Sequence, residues 1–171
     1  MKETIGFIGN GFVNGAVISH FKDFFNIEVY DVLKERRTVE SIKDLMKKTK
    51  ILFLAVPTPI NEKEECYLDH IFDIYKEVDK YNDNHHVILK SSIQPGTTEY
   101  LLNNFKVNTV FNPEFLREKS HIEDFLMATK KNPLVVVTSN TEKWLIDFIK
   151  SLGVTISDKS GAKETKDIVE T

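Results

Sequence analysis

The sequence predicts an α/β domain with a doubly wound, mainly parallel sheet. Apolar, β-rich segments alternate with segments of helical periodicity along the chain. Such alternation is typical of parallel strands that are joined by helices on both faces of a sheet. Residues 51–56 are apolar throughout, as a strand buried on both faces requires. A chain of 171 residues suits one such domain rather than two.

Each element follows from a local pattern. Short apolar runs predict strands at residues 4–8, 28–30, 51–56, 87–90, 109–111, 134–138 and 154–157. Helical patterns lie between them, at residues 11–24, 38–48, 69–80, 97–105 and 141–152. We therefore assign residues 1–158 to the domain. Residues 159–171 form a predicted loop and the start of a further helix, which is too short and polar to be stable alone.

Composition and charge exclude several classes of function. The formal net charge is -3 and the charges are mixed along the chain, so we expect no nucleic-acid partner. No apolar run approaches the roughly 20 residues of a membrane span, and we expect no membrane partner. The N-terminus lacks the apolar segment of a signal peptide, which favours a cytoplasmic protein. A single cysteine excludes a disulfide framework and a cysteine metal cluster.

We also expect no metal site elsewhere. The histidines show no spacing typical of metal ligands; they are His20, His70, His85, His86 and His121. Because His85 and His86 come just before a predicted strand, we expect both at the surface or at a strand edge.

A glycine-rich turn follows the first predicted strand and opens the first predicted helix. Residues 9–15 are G-N-G-F-V-N-G. Gly9 permits a tight turn, and Gly11 leaves room for a pyrophosphate to approach the backbone. The N–H groups and the positive dipole end of the helix favour an anion at this place. The sequence therefore predicts a Rossmann-type dinucleotide site, with contacts from Gly9, Asn10, Gly11, Phe12 and Val13.

The third glycine position of this motif is changed. Asn14 stands where a glycine normally lets the helix and the strand pack closely, and the next glycine, Gly15, comes one residue after this position. We therefore expect looser packing at this position. A glycine turn in an α/β domain that binds no nucleotide remains the alternative interpretation of the motif.

An acidic residue ends the second predicted strand, about twenty residues after the glycine turn. The carboxylate of Asp31 can accept hydrogen bonds from the ribose hydroxyls of the cofactor and would repel a 2′-phosphate. NAD is therefore favoured over NADP. Lys34 lies close by in the sequence and can weaken this preference.

Three further segments resemble one family of dehydrogenases. V-P-T-P at residues 56–59, K-S-S-I-Q-P-G-T-T at 90–98 and N-P-E-F-L-R-E at 112–118 resemble motifs of the UDP-glucose/GDP-mannose dehydrogenase family, in the family's order. The similarity continues through I-E-D-F at 122–125. It covers the chain but only the N-terminal, NAD-binding domain of the family. All three segments follow predicted strands, where ligands bind in an open α/β sheet.

The resemblance implies roles for individual residues. It places Val56, Thr58 and Ser92 near the cofactor, and Ser92 keeps the hydroxyl of the family's threonine. Glu114 matches a glutamate of acid/base chemistry near the substrate, and Glu118 matches one near the nicotinamide. The prolines at 57 and 59 can instead form only a rigid turn. The two glutamates, four residues apart, can instead share a solvated helix face.

The resemblance extends to the end of the chain. Lys166 falls where the family has a catalytic lysine, and Glu170 replaces the family's asparagine. Other departures lie near the expected cofactor face: Lys119 replaces a glycine, and K-K-N-P at 130–133 replaces P-D-R. These departures leave open how tightly NAD binds.

The catalytic cysteine of the family has no counterpart in this sequence. Family members oxidise a sugar alcohol to a carboxylate with two NAD, through a thiol in a G-G-S-C-F-type motif. Cys66 is flanked by Glu64, Glu65 and Asp69, and such carboxylates disfavour a thiolate. We therefore expect the chain alone to be inactive, as the NAD-binding part of a truncated or split enzyme in which a second chain supplies the thiol. A homodimer is a separate expectation. A non-catalytic nucleotide-binding module and a small dehydrogenase of another kind are the alternatives.

Overall fold

The computed structural model describes residues 2–60 and 66–112. The elements in chain order are β1 (Thr4–Ile8), α1 (Phe12–Phe21), β2 (Asn26–Tyr30), a 3₁₀ turn (Lys34–Arg36), α2 (Ile42–Lys48), β3 (Ile51–Leu54), α3 (Asp69–Lys80), β4 (His86–Leu89), α4 (Thr97–Asn104) and β5 (Asn108–Phe111). All strand pairs are parallel, and the strand order is β2-β1-β3-β4-β5. The predicted α/β class and parallel sheet are confirmed.

The strand order reverses next to β1. The chain moves from β1 outward to β2, and then crosses back to β3 on the other side of β1. In open α/β sheets such a switch point leaves a crevice beyond the carboxyl ends of the strands, where ligands bind. The carboxyl ends of β1, β2 and β3 therefore mark the expected site.

The predicted elements up to residue 112 are found, with shifted ends. The helix predicted from residue 38 begins at Ile42, because Ser41 caps it by accepting a hydrogen bond from the Asp44 N–H. Thr38 instead binds the edge of β2, where its hydroxyl accepts from the Val29 N–H at 2.8 Å. The strands predicted at 134–138 and 154–157, the helix at 141–152 and the segment 159–171 lie outside the described residues.

Two apolar layers cover the sheet. One is built on α1 and includes Phe7, Phe21 and Phe53, with the rings of Phe7 and Phe53 stacked at 5.1 Å. The other packs α2, α3 and α4 against the opposite face. Every residue of β3 and β4 is buried, which agrees with the apolar pattern of a central strand.

The two adjacent histidines are buried, and the prediction of a surface position for them is wrong. His85 and His86 are each 2% exposed. The Nδ1 of His85 accepts from the Asp83 N–H at 3.0 Å, so the ring N–H at Nε2 donates to the Met46 carbonyl at 2.9 Å. These two hydrogen bonds compensate for the burial of the His85 ring, which the sequence pattern did not indicate.

A buried tyrosine joins α3 to β5. The Tyr75 hydroxyl lies 2.9 Å from the Thr109 hydroxyl, and its ring is fully buried. Burial raises the pKa of Tyr75, while the hydrogen bond with Thr109 acts in the opposite direction. Tyr75 therefore stays neutral and serves as a core residue.

The described residues contain neither a membrane-spanning helix nor a cluster of metal-ligating side chains. No helix within residues 2–60 and 66–112 is long and apolar enough to cross a membrane. The same part of the chain contains no group of three or more His, Cys, Asp or Glu side chains placed to hold a metal ion.

Candidate functional site

A cavity of about 580 Å³ opens at the switch point of the sheet. The glycine turn forms one wall and the end of β2 forms the second. The segment after β3 and the first half of α3 close the third side. A volume of this size is in the range of small-molecule and cofactor sites. The lining residues used below are Gly9, Asn10, Gly11, Asp31, Arg36, Val56, Pro57, His70, Asp73 and Ile74.

Two glycines of the turn meet different structural needs. Gly9 has φ +85°, and a Cβ added there would lie 2.1 Å from the Ala55 carbonyl oxygen. Gly9 is therefore required by the backbone itself. A Cβ added to Gly11 would meet nothing within 4 Å. The space beside Gly11 is thus open, as a site that admits a ligand close to the backbone requires.

Helix α1 begins at this open space. Gly11 is its N-cap residue, and among the described residues no side chain caps it and no acidic residue occupies its first turn. The positive end of the helix dipole is therefore not neutralised by the helix itself. A negatively charged ligand group at this end would be stabilised by backbone N–H groups and by the dipole.

Asp31 connects the end of β2 to the glycine turn. Its Oδ2 accepts from the Asn10 N–H at 2.7 Å, and its Oδ1 accepts from the Leu33 N–H at 2.8 Å. The residue is 9% exposed. Each carboxylate oxygen has a second lone pair, so Asp31 can still accept hydrogen bonds from hydroxyl groups in the cavity. The Asn10 side chain donates to the Arg36 carbonyl at 3.0 Å and fixes the 3₁₀ turn beside it.

Asn14 packs tightly, and the prediction of looser packing at this position is wrong. The residue is fully buried. Its Nδ2 lies 3.1 Å from the Ile8 carbonyl, 2.7 Å from the Gly9 carbonyl and 3.3 Å from the Phe53 carbonyl. The Asn14 side chain thus fills the space that a glycine would leave and forms hydrogen bonds to β1, to the glycine turn and to β3.

The segments that follow β3 and β4 are hydrogen-bonded to each other. The Ser91 hydroxyl accepts from the Val56 N–H at 2.8 Å and donates to the Val56 carbonyl at 2.9 Å. The Thr58 hydroxyl donates to the Ser92 carbonyl at 2.7 Å. Since Thr58 gives its proton to the backbone, its hydroxyl can offer a ligand only an acceptor lone pair.

A buried lysine makes a similar connection between β4 and β5. Lys90 is 3% exposed, and its ammonium group donates to the Asn112 side-chain oxygen at 2.8 Å and to the Asn112 carbonyl at 3.3 Å. Asn112 is the first residue of the N-P-E-F-L-R-E segment. The three motif segments therefore meet at the carboxyl edge of the sheet.

The predicted site residues fall into three groups. Gly9, Asn10, Gly11, Asp31 and Val56 line the cavity. The cavity lining does not include a second group of described residues, which consists of Phe12, Val13, Lys34, Thr58 and Ser92. Glu114, Glu118 and Lys166 lie outside the described residues, as do Lys119 and residues 130–133. The functional roles of all three groups remain predictions.

Sequence reasoning missed several residues that line the cavity. They are Arg36, from the 3₁₀ turn after β2, and His70, Asp73 and Ile74 of α3. The position of Arg36, five residues after Asp31, was available in the sequence. The α3 residues were not predictable in this way, because their place depends on how α3 crosses the end of β3.

Cys66 is not among the residues that line the cavity. It is half-buried and forms an isolated antiparallel bridge with Ile60. The Tyr67 N–H donates to the Pro59 carbonyl at 2.8 Å and holds the same loop. Cys66 is thus a loop residue in the described part of the chain.

The parallel strand order, the glycine turn and the acidic end of β2 together define a dinucleotide-binding Rossmann domain. The sequence profile of the UDP-glucose/GDP-mannose dehydrogenase family, NAD binding domain, matches residues 28–151. The chain belongs to the UDP-glucose/GDP-mannose dehydrogenase family, in its NAD-binding domain, and NAD is the cofactor of this domain.

Individual relatives agree with this assignment. The UDP-glucose 6-dehydrogenase of Rickettsia prowazekii is 34% identical over 97 residues, which cover 53% of this chain and 22% of that enzyme. The structure of a UDP-glucose dehydrogenase from Pyrobaculum islandicum superimposes with a TM-score of 0.74 at 20% identity, covering 91% of this chain and 46% of that one. The GDP-mannose dehydrogenase from Pseudomonas aeruginosa gives 0.69 at 16% identity, covering 89% and 44%. The matched segments thus span less than half of each of these relatives.

Proposed function

We propose that the cavity binds NAD(H), with the pyrophosphate at the glycine turn and the adenosine ribose at Asp31. The observation that carries this proposal is the open space beside Gly11, at an uncapped helix end and in one cavity with a carboxylate. The cofactor fits these residues because the helix end suits its anionic group and the carboxylate suits its hydroxyls. Bound NAD would supply a hydride acceptor.

The proposal gives the chain's other residues supporting roles. Arg36 and Ile74 would flank the adenine, because both line the cavity that also contains Asp31. Val56 would border the path toward the nicotinamide, and Ser91 would hold Val56 in place through its two hydrogen bonds. Thr58 and Ser92 would shape the same edge, since their hydrogen bond fixes the two segments against each other.

We further propose that the domain serves the oxidation of a nucleotide sugar, as the family relationship suggests. Glu114 would then act in proton transfer near the sugar, Glu118 would lie near the nicotinamide, and Lys166 would be the catalytic lysine. We also propose a cytoplasmic location, a homodimer, and a second, different chain that supplies the catalytic part.

We expect NADH to bind more tightly than NADPH. The Asp31 carboxylate would gain hydrogen bonds from the ribose hydroxyls of NADH but would repel a 2′-phosphate. A difference of about 1–3 kcal/mol, roughly five- to 150-fold in affinity, follows from one or two such interactions. Titrating both cofactors under identical conditions by fluorescence measures the ratio. Equal or tighter NADPH binding would contradict the assigned role of Asp31.

Charge-matched variants refine this measurement. Lys34→Ala should increase the preference for NADH, because Lys34 follows Asp31 closely and attracts a phosphate. Lys106→Ala removes the same charge just before β5, at the opposite edge of the sheet, and should leave the ratio unchanged. A ratio that shifts equally in both variants would indicate a general charge effect rather than a local one.

A non-catalytic nucleotide-binding module is the second candidate. It is favoured by the position of Cys66, the single cysteine of the sequence, outside the cavity lining. Oxidation of an aldehyde to a carboxylate through a thioester needs a thiolate held beside the substrate. This chain offers no cysteine other than Cys66 for that step.

We therefore expect no NADH formation when the purified chain is mixed with NAD and a panel of nucleotide sugars. The absence of a positioned thiol removes both the covalent step and the proximity effect, which contributes about 7–11 kcal/mol to lowering such barriers. Absorbance at the NADH band measures turnover. Steady turnover that survives Cys66→Ser would reveal an independent catalytic route, and turnover lost in that variant would assign the thiol to Cys66.

A further inference from the structure

Asn14 occupies the third glycine position of the motif, yet it makes more contacts with the turn than a glycine could. Its amide nitrogen approaches three backbone carbonyls, with the Gly9 carbonyl nearest at 2.7 Å. The side-chain oxygen is buried and has no hydrogen-bond partner among the described residues. A buried acceptor without a partner is unfavourable. Its presence shows that the contacts of the amide nitrogen dominate at this position.

The orientation of the amide follows from its surroundings. The Ile8, Gly9 and Phe53 carbonyls all present partial negative charge to the same atom. An amide nitrogen offers two protons to such a group, whereas an amide oxygen in its place would be repelled. The arrangement with Nδ2 facing the carbonyls is therefore the stable one.

One peptide group of the turn is consequently held at both ends. The Gly9 carbonyl accepts from Asn14, and the N–H of the same peptide group, on Asn10, donates to the Asp31 carboxylate at 2.7 Å. This peptide plane immediately precedes Gly11 and the first N–H groups of α1. The orientation of the Gly9–Asn10 peptide sets the direction of these N–H groups. The same peptide also connects the start of α1 to the Asp31 carboxylate, which is proposed to bind the ribose.

We propose that Asn14 is a positioning residue of the cofactor site, which orients the Gly9–Asn10 peptide and thereby the N–H groups that receive the pyrophosphate. This inference rests on the proposed binding of NAD at the glycine turn. A glycine at position 14 cannot hold the Gly9 carbonyl. Asn14→Gly, which restores the third glycine of the motif, should therefore weaken cofactor binding instead of improving it.

The test compares ligands with and without the pyrophosphate. In Asn14→Gly and Asn14→Ala, the affinities for NADH and ADP should fall by about tenfold, since hydrogen bonds to misdirected N–H groups are lost. The affinity for adenosine, measured by NMR titration, should change less than about twofold, because adenosine meets Asp31 and the adenine walls only. A merely structural role would weaken all three ligands together.

A matched control removes a comparable hydrogen bond elsewhere on α1. The Ser19 hydroxyl donates to the Gly15 carbonyl at 2.8 Å, within α1 and without contacting the Gly9–Asn10 peptide. Ser19→Ala should leave the affinities for NADH, ADP and adenosine unchanged. The use of two variants at Asn14 guards against failed folding, since alanine favours the helix and glycine fits the space.

A second measurement separates this inference from the proposed function. In the cofactor-free protein, hydrogen exchange of the Asn10 amide, which donates to Asp31, should be faster in both Asn14 variants than in the wild type, with exchange in β4 unchanged. If the wild type binds neither NADH nor ADP, the proposed function fails, and the exchange result still decides the role of Asn14. Unchanged exchange of the Asn10 amide, or variants that bind NADH and ADP as the wild type does, would overturn the inference.

Discussion

Gly11→Val is expected to abolish NADH binding while leaving the protein folded. The backbone at Gly11 has φ -83° and ψ -167°, an extended conformation that valine adopts readily. The space around its Cβ position is open, so the added side chain meets no protein atom there and instead fills the place proposed for the pyrophosphate. Loss of two charge-assisted hydrogen bonds, at about 1.5–3 kcal/mol each, reduces affinity by about 100-fold or more.

The measurement pairs a fluorescence titration of NADH with urea unfolding. Because valine is a poorer N-cap residue than glycine, we expect the free energy of unfolding to fall by no more than about 1 kcal/mol. Gly15→Ala is the matched control, since a Cβ at Gly15 also meets nothing within 4 Å but lies inside α1. It should bind NADH normally. A folded Gly11→Val protein with unchanged affinity would refute the assigned pyrophosphate position.

Gly9→Ala, two residues earlier in the motif, is expected to destabilise the fold itself, whereas Gly11→Val is expected to affect mainly ligand binding. The added Cβ would lie 2.1 Å from the Ala55 carbonyl oxygen, and φ is +85°. The left-handed conformation costs about 1–2 kcal/mol for a residue other than glycine. Overpacking against backbone adds about 1–3 kcal/mol. The expected loss is therefore about 2–5 kcal/mol, a large share of the stability of a typical domain.

Urea unfolding of the cofactor-free protein measures this loss. Gly15→Ala again serves as the control, and it should gain about 0.5–1 kcal/mol because alanine favours a helix interior over glycine. A Gly9→Ala protein within about 1 kcal/mol of the wild type would contradict the assigned backbone constraint. The two substitutions together separate a glycine required by the chain from a glycine required by the ligand.

The sequence by itself determined the order of the elements and predicted the place of the proposed nucleotide site. Alternation of strand and helix patterns is a local property, because each apolar run records the burial of its own segment. It was sufficient to predict all five strands found in the described part of the chain, with ends that differ by no more than two residues. The glycine turn and Asp31 were also evident, since their spacing is fixed by one strand–helix–strand unit.

The tertiary structure decided which of these residues share hydrogen bonds. Asn14 was expected to loosen the packing, but the carbonyls of β1 and β3 converge on its amide and reverse that effect. His85 and His86 were expected at the surface or at a strand edge. Both are buried, because β4 lies between β3 and β5 in the sheet and α2 supplies a carbonyl to the ring of His85. In both cases the partner is distant in sequence, at β3 for Asn14 and at α2 for His85.

The lining of the cavity depends on the same long-range geometry. Arg36, His70 and Ile74 line one cavity, although Arg36 follows β2 and the other two belong to α3. A sequence pattern records which face of a segment is buried, but it carries no information about which other segment covers that face. The energy of a buried polar group depends on its partner rather than on its neighbours along the chain. The roles of Asn14, Ser91 and Lys90 therefore became visible only once the strands were placed side by side.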